Sequence, residues 1–440
     1  MSLDKETKEK QVLVVHYAEI GLKGENRSEF LQRLRANLQT RFRSGGMGPE
    51  WTVKVIPGML LVDVPEEATE AAIQRAFRYV EQVFGVAWYA LARRVEHQGF
   101  VGDQAQADEA RLHAALIRLA EEAYRPNATF AVRVRRGDKS LPFTSMQMER
   151  RLGGVILKYS PWEKVDLTQP DVTFWVDFRE REILLYTERR RGPGGLPVGS
   201  AGRVLLLLSG GIDSPVAGWL MARRGCYVDM LHFSVTEPSE EELKRNKVVE
   251  LARRLAGYTL GARLFIVPYT YFDMALLRKP TAYQLVLFRR FLLRTAERLA
   301  SQIEAEALVT GDSLSQVASQ TLSNLVATSR AVQMPIFRPL IGMDKEEIVQ
   351  LAKQIGTYDL STLPYKDCCA LISRHPKTRS QHDRLVEIER QIFPDYEALI
   401  QKTLAAAKTV WVEPPPLEET EGPEHMPTPA DSSQTEFTEG

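Results

Sequence analysis

Three groups of residues in this 440-residue chain have the types and spacing to do chemistry. The first is Ser209-Gly210-Gly211-Ile212-Asp213-Ser214, which follows the apolar run Val204 to Leu208 and precedes an apolar-spaced stretch from Pro215 to Arg224. A strand, a small polar loop and a helix N-terminus form an arrangement that binds phosphate. Gly210 and Gly211 let the backbone approach an anion, and unpaired N–H groups at the helix start point at it. Ser209 and Ser214 add hydroxyl donors. An ordinary tight turn is the bland alternative, and the flanking strand and helix argue against it. The pattern lacks the G-x-x-x-x-G-K-[ST] of the kinase and GTPase loop, which is therefore excluded.

The second group is the polar stretch from Thr310-Gly311-Asp312-Ser313 through Gln320 to Leu322, just after the apolar Ala307-Leu308-Val309. If both apolar runs are strands of one parallel sheet, both polar stretches face one crevice. The third is the pair Cys368-Cys369. A thiolate can accept a sulfane sulfur, carry it as a persulfide and deliver it to an activated carbon. Arg374, Lys377 and Arg379 are close enough in sequence to lower a thiol pKa, or to meet a polyanion. Cys226, in an apolar stretch, reads as a core residue. Three cysteines make neither a disulfide framework nor a four-thiolate zinc site.

Arginines form a further cluster at Arg133, Arg135 and Arg136 with Lys139, and Arg189-Arg190-Arg191 follows later. Such clusters suit phosphate contacts on folded RNA, where shape and backbone dominate recognition. A solvated charged face is the alternative. Formal charge is zero, with 57 basic and 57 acidic residues, but residues 1–410 carry +8 and the remainder −8. A basic body with an acidic tail suits a polyanionic partner. The chain has no long apolar run able to span a membrane, and its charged start lacks a signal-peptide core, so a cytoplasmic location is expected.

The elements that must position these residues follow from periodicity. Residues 11–15, 53–56 and 60–64 read as strands, and 28–42 and 68–80 as helices, in a β-α-β-β-α order that suits a ferredoxin-like α+β unit at 8–80. A second unit, 81–190, carries helices at 108–124 and 145–158, a strand at 129–136 and a hairpin of 174–178 with 182–186. The Gly/Pro-rich stretch 191–202 reads as a linker. Strands at 203–208, 227–233, 262–268 and 307–310 then alternate with helices at 215–224, 239–256, 281–302 and 344–355. This predicts a parallel sheet with helices on both faces over 203–408, and Asp344 with Glu347 forms an N-cap pair. From 409 to 440 the Pro-, Glu- and Ser-rich composition predicts a disordered tail.

The pattern S-G-G-x-D-S resembles the loop of the ATP pyrophosphatases (PP-loop enzymes), which split ATP into AMP and pyrophosphate. On that likeness Ser209, Gly210, Gly211 and Ser214 would hold phosphates, and Asp213 would hold Mg²⁺ or cap the helix, or both. The loop, together with Gly311-Asp312-Ser313-Leu314-Ser315-Gln316-Val317-Ala318-Ser319-Gln320, Arg338 to Ile348 and Cys368-Cys369-Ala370-Leu371-Ile372-Ser373, resembles the tRNA 4-thiouridine synthetases of the ThiI type. The likeness covers nearly the whole chain, since that family also begins with a ferredoxin-like domain and an RNA-binding THUMP domain.

The resemblance implies ATP contacts at Leu207, Leu208, His232, Phe233, Arg289, Gly311 and Gln320, with strand-end backbone at Leu208 and Phe233 reading the adenine edge and Arg289 meeting phosphate. It implies a role for Lys345 near the activated substrate, although an exposed first-turn lysine is the plain alternative. It aligns Cys369 with the sulfur-carrying cysteine and leaves Cys368 as an alternate or helper. It also implies tRNA as substrate, position 8 as target, a cysteine desulfurase as sulfur donor and a homodimer. A rhodanese module, present in some family members, is absent from this sequence, which puts a role in thiamine-thiazole synthesis in doubt.

The expected reaction is ATP-dependent sulfur transfer to a tRNA uridine. Two rivals remain at this point: an ATP pyrophosphatase adenylating another RNA base or a small metabolite, and a non-catalytic RNA-binding protein with an inert loop. The first rival usually needs a glutaminase or paired metal-binding cysteines, and no C-x-x-C occurs here. Intact Ser209, Asp213 and Cys369 argue against the second.

Overall fold

A computed structural model describes residues 10–22, 24–137, 141–235, 239–277, 279, 281–365, 368 and 377–416. Lys139, Cys369 and the expected tail from 417 onward lie outside the described residues.

The N-terminal half is one continuous sheet. Its elements are β1 (Lys10–Tyr17), α1 (Arg27–Ser44), β2 (Val53–Ile56), β3 (Met59–Asp63), α2 (Glu70–Val80), β4 (Val86–Glu96), α3 (Ala105–Glu122), β5 (Thr129–Arg136), α4 (Ser145–Tyr159), β6 (Lys164–Val165), β7 (Val172–Phe178), β8 (Glu182–Tyr186) and β9 (Arg190–Arg191). The strand order is β2-β3-β1-β4-β8-β7-β5-β6, with β9 also on β4. The ferredoxin-like unit and the unit after it therefore share a sheet, joined where β4 pairs with β1 on one side and β8 on the other.

Period-2 alternation sorts the side chains of this sheet onto two faces. Leu13, Val15, Leu60 and Val62 pack under α1 and α2. Phe130, Val132, Phe174 and Val176 pack under α3 and α4. The opposite face is a layer of strand residues alone, including Val12, Val14, Leu61, Ala90, Leu184 and Tyr186, with no described helix contributing to it.

The C-terminal half runs β10 (Arg203–Leu207), α5 (Asp213–Arg223), β11 (Tyr227–Ser234), α6 (Glu240–Lys244), α7 (Lys247–Thr259), β12 (Ala262–Pro268), α8 (Thr270–Leu277), α9 (Gln284–Gln302), β13 (Ala307–Val309), α10 (Leu322–Ser329), β14 (Ile336–Phe337), α11 (Lys345–Gln354) and α12 (Tyr358–Thr362). Two further helices, His382–Ile392 and Tyr396–Ala405, precede a last strand, β15 (Lys408–Val412). The order β14-β13-β10-β11-β12-β15 is parallel except for β15, which runs antiparallel to β12. Burial on both faces explains why β10 is apolar after Arg203. Val204 and Leu206 enter one core with α5 and α7, whereas Leu205 and Leu207 enter the other with α9.

The sequence expectation lacks β4, α8 and α10, and further details differ from it. The helix expected at 239–256 is two helices, because Asn246 breaks it and its side chain caps α7 by accepting from the Val248 N–H at 2.8 Å. The expected linker is tied down, with Gly192 and Gly194 N–H groups bonded to Ala87 and Val86 and Leu196 N–H to Arg223. Finally, the fold continues past 408: β15 pairs with β12 from Lys408↔Ile266 to Val412↔Ala262. The Lys-Thr-Val-Trp-Val run has strand propensity that the proline-rich surroundings mask. No helix of the described residues is long and apolar enough to cross a membrane.

Candidate functional site

Parallel pairing of β10 with β13 and β11 brings the loops after their C-terminal ends together. In the first loop, the Ser214 hydroxyl lies 2.9 Å from the Ser209 N–H, which it accepts, and 3.0 Å from the Ser209 hydroxyl. The Ser209 hydroxyl in turn accepts the Gly211 N–H at 3.3 Å. This closes the loop on itself at the start of α5. Among the described residues, a Cβ on Gly211 would meet only the Ser209 hydroxyl, at 3.5 Å. Gly210 is the reverse case: a Cβ there would stand 2.6 Å from the Tyr365 ring.

The second loop abuts the first so closely that a Cβ on Gly311 would sit 2.7 Å from the Ser214 nitrogen. One residue on, Asp312 is buried and accepts from Arg289 Nη2 at 2.5 Å, Thr310 Oγ1 at 2.8 Å, Arg338 Nε at 3.3 Å and Gln320 Nε2 at 3.3 Å. Burial alone would raise this carboxyl, but Arg289, with Thr310 and Arg338, outweighs it and holds the pKa at about 2. Gln320 Oε1 is buried with no partner among the described residues, an acceptor unfilled at the crevice.

Asp213 opens α5. Its Oδ1 accepts from Lys345 Nζ at 2.6 Å and its Oδ2 from Gln316 Nε2 at 2.9 Å. Lys345 reaches it because α11 starts with a capping box, in which the Asp344 carboxylate accepts the Glu347 N–H and the Glu347 carboxylate accepts the Asp344 N–H, each at 2.9 Å. At the end of β11, His232 donates through Nδ1–H to the Leu208 carbonyl at 2.9 Å, so Nε2 accepts from the Tyr365 hydroxyl at 2.8 Å. Cys368 is buried and its thiol donates to the Phe233 carbonyl at 3.3 Å.

Most of the expected nucleotide residues thus converge: Leu208, Ser209, Gly210, Gly211, Asp213, Ser214, His232, Phe233 and Gly311 line the strand ends, with Lys345 opposite. Leu207, Leu208 and Phe233 all bury their side chains in the two cores, so each can offer the crevice only its backbone. Arg289 is held by Asp312 and by the Ser319 hydroxyl. The Leu208 N–H and carbonyl both carry protein partners, as does the Phe233 carbonyl, so adenine would have to share the second lone pairs. Asp312, Gln316 and Arg338 fall inside stretches marked by the sequence but with no individual role given them there, and Tyr365 carries no sequence signal at all. Among the described residues no group of three or more His, Cys, Asp or Glu side chains could hold a metal ion.

The arginines expected to meet RNA lie on the other sheet and are not one cluster. Arg136 turns to the Leu141 and Phe143 carbonyls, and Arg133 to the Leu167 carbonyl. Arg135 is exposed on the helix-free face, where it donates to His16 Nε2 at 3.3 Å. Burial, reinforced by Arg135, lowers the His16 pKa to about 4, so its ring is neutral and can accept. On the same face Arg189 lies over Trp175, 3.3 Å from the ring centroid, and over Trp88 at 4.4 Å, while His16 stacks on Trp88 at 4.9 Å.

The fold and crevice define an α/β domain of the ATP pyrophosphatase type behind a ferredoxin-like domain and a THUMP domain. Residues 199–393 match the ThiI family, described as thiamine biosynthesis protein, 106–188 the THUMP domain and 12–90 the ThiI ferredoxin-like domain. A probable tRNA sulfurtransferase of Caldanaerobacter subterraneus is 38% identical over 89% of this chain and 97% of its own length. Another, of Brevibacillus brevis, is 36% identical over 93% and 98%. A crystal structure of a 4-thiouridine synthetase–RNA complex with bound ATP superposes with a TM-score of 0.80 at 34% identity, covering 92% of this chain and 100% of that one. The chain belongs to the ThiI family of tRNA sulfurtransferases and is a homologue of 4-thiouridine synthetase.

Proposed function

We propose that this chain forms 4-thiouridine at position 8 of tRNA. In this reading ATP is bound at the Ser209–Ser214 loop, and the uridine O4 attacks its α-phosphate to release pyrophosphate. The terminal sulfur of a persulfide on Cys369 then attacks C4, and AMP departs from that carbon. A thiol finally breaks the Cys369–sulfur bond, forming a disulfide with Cys369 as 4-thiouridine leaves; the two electrons come from that thiol.

The observation that carries the reading is convergence. The self-closed phosphate loop, the Asp213–Lys345 pair and the chain entering the cysteine pair all meet at one crevice, in a chain that aligns along 92% of its length with a synthetase solved with RNA and ATP. The room for a Cβ at Gly211 and the Gln320 Oε1 without a partner, both among the described residues, fit a bound nucleotide. Lys345 supplies positive charge beside the loop, where pyrophosphate develops negative charge. Cys368, buried and bonded to a carbonyl, suits an anchor better than a carrier.

Mg²⁺ fits only as it commonly sits on nucleotides, with one carboxylate from the protein and the rest of its ligands from phosphate and water. Asp213 would supply that carboxylate, and the ion would neutralise the leaving pyrophosphate. The tRNA partner suits the helix-free sheet face, where Arg135 and Arg189 supply charge and Trp88 and Trp175 supply ring faces. A cysteine desulfurase would load Cys369, and a homodimer would let one subunit hold the RNA that the other modifies.

The test is nucleoside mass spectrometry of tRNA incubated with the chain, ATP, Mg²⁺, a desulfurase, cysteine and a thiol. 4-Thiouridine should form and vanish with Cys369→Ser. Pyrophosphate exchange stimulated by a small metabolite but not by tRNA would sink the proposal.

A further inference from the structure

The chain between α12 and Cys368 is fastened at several points, all by contacts distant in sequence. Lys247, at the start of α7, donates from Nζ to the Ser361 carbonyl at 2.8 Å and the Leu363 carbonyl at 2.6 Å. These carbonyls lie at the C-terminal end of α12, where backbone acceptors lack intrahelical partners. Four residues after Ser361, Tyr365 places its hydroxyl on His232 and its ring against Gly210. Lys247 Nζ also lies 5.7 Å from the Tyr365 ring centroid. Three residues further, Cys368 is bonded to the carbonyl of Phe233.

His232 and Phe233 are neighbours on β11, so Tyr365 and Cys368 step along one strand end. The His232 ring then passes the connection on to Leu208, immediately before the phosphate loop. A hydrogen-bonded path therefore runs from the approach to the cysteines, through Tyr365 and His232, to the loop that takes ATP.

We propose that Tyr365 is a positioning residue for sulfur delivery, holding the chain that leads to the cysteines in register with the nucleotide loop. The inference rests on the sulfur-transfer reading. Two reactions must occur in turn around one uridine C4, with adenylation at its oxygen and then attack by sulfur. A misplacement of about 1 Å costs a reaction roughly a hundredfold. Adenylation depends on the loop and the side chains beside it but not on the cysteines, whereas sulfur attack depends on loop and cysteine chain together. Loss of the tie should therefore uncouple the two.

The experiment compares the full-length chain with Tyr365→Phe, which removes the hydroxyl, and Tyr365→Ala, which also removes the ring. AMP and 4-thiouridine are counted in the same reaction with tRNA, ATP, desulfurase and cysteine. In parallel, the alkylation rate of Cys368 is followed by peptide mass spectrometry in a Cys369→Ser background. We expect the yield of 4-thiouridine per AMP to fall about fivefold in Tyr365→Phe and further in Tyr365→Ala, with Cys368 alkylation about tenfold faster as its local protection is lost. An unchanged ratio with unchanged alkylation overturns the proposal. So does an equal loss of AMP and 4-thiouridine at an unchanged melting temperature, which would make Tyr365 part of the nucleotide site only. If Tyr365→Ala does not fold, Tyr365→Phe decides. If the unsubstituted chain makes no 4-thiouridine, the sulfur-transfer reading fails separately, and the tie stands or falls on Cys368 alkylation.

Discussion

The two sheets treat their polar groups in opposite ways. At the crevice of the parallel sheet, polar side chains are mutually committed, Asp312 and Ser214 buried and Asp213 and Ser209 half-buried: Asp312 serves four donors, Asp213 two, and Ser209 and Ser214 bond to each other. On the helix-free face of the other sheet, Arg135 and Arg189 are exposed and Trp88 and Trp175 half-buried, held by stacking. A small reacting group needs a preorganised site, because reorganisation during the reaction adds to the barrier. A long polyanion needs many tolerant contacts instead, each individually weak. Damage at the crevice should therefore cost chemistry and stability together, while damage on the open face should cost affinity alone.

The largest break in this comparison is expected at Asp213. Asp213→Asn removes the charge facing Lys345, and tRNA-dependent AMP release, followed by chromatography, should drop about a hundredfold or more. RNA binding measured by filter retention should stay unchanged. Asp312→Asn comes next, since it leaves two arginines facing a neutral amide and should destabilise the chain by about 3 kcal/mol in denaturant melts. It also carries a pH signature. Because the folded carboxyl is held at about 2, below its ordinary value, its contribution is present above about pH 4 and lost as pH falls towards 2. The acid limb of stability should be shallower in Asp312→Asn than in the unsubstituted chain.

Gly311→Ala would drive a methyl into the Ser214 backbone. It should cost about 1–3 kcal/mol, together with most AMP release, read by calorimetry and the same assay. On the open face, Trp175→Ala should weaken RNA binding by about 1–3 kcal/mol with melting temperature and tRNA-saturated AMP release unaltered. Parallel loss of both would erase the contrast between the sheets. The smallest effect is expected at Asp344→Ala, where loss of the cap costs about 1 kcal/mol in a thermal melt and loosens Lys345.

The parallel half was more legible in sequence than its site. Runs such as Val204 to Leu208 are apolar throughout because both faces are covered, and that pattern survives without tertiary knowledge. β4 went unread because both its faces carry apolar side chains, Tyr89 and Leu91 on the helix-covered face and Trp88, Ala90 and Ala92 on the other, so Val86 to Ala92 shows no clean alternation. The capping box at Asp344 was readable, being local. Tyr365 was not, since its partners His232 and Gly210 are more than 130 residues away in sequence and a lone tyrosine announces nothing. The placing of the β5 arginines was not legible for a related reason: alternation along the strand sends Arg135 to the open face and Arg136 to the other, and composition is blind to that.

β15 closes one side of the parallel sheet, and it ends at Val412 ahead of Pro414, Pro415 and Pro416. A strand with a bare edge is a template on which another chain can add itself, and proline, with no N–H to give, makes a poor continuation. The Pro415 carbonyl is moreover taken by Arg41 of α1 at 3.0 Å, which draws the chain away from the sheet. The prolines and that bond therefore stop β15 after five residues, and so short an edge gives another chain few hydrogen bonds to add to.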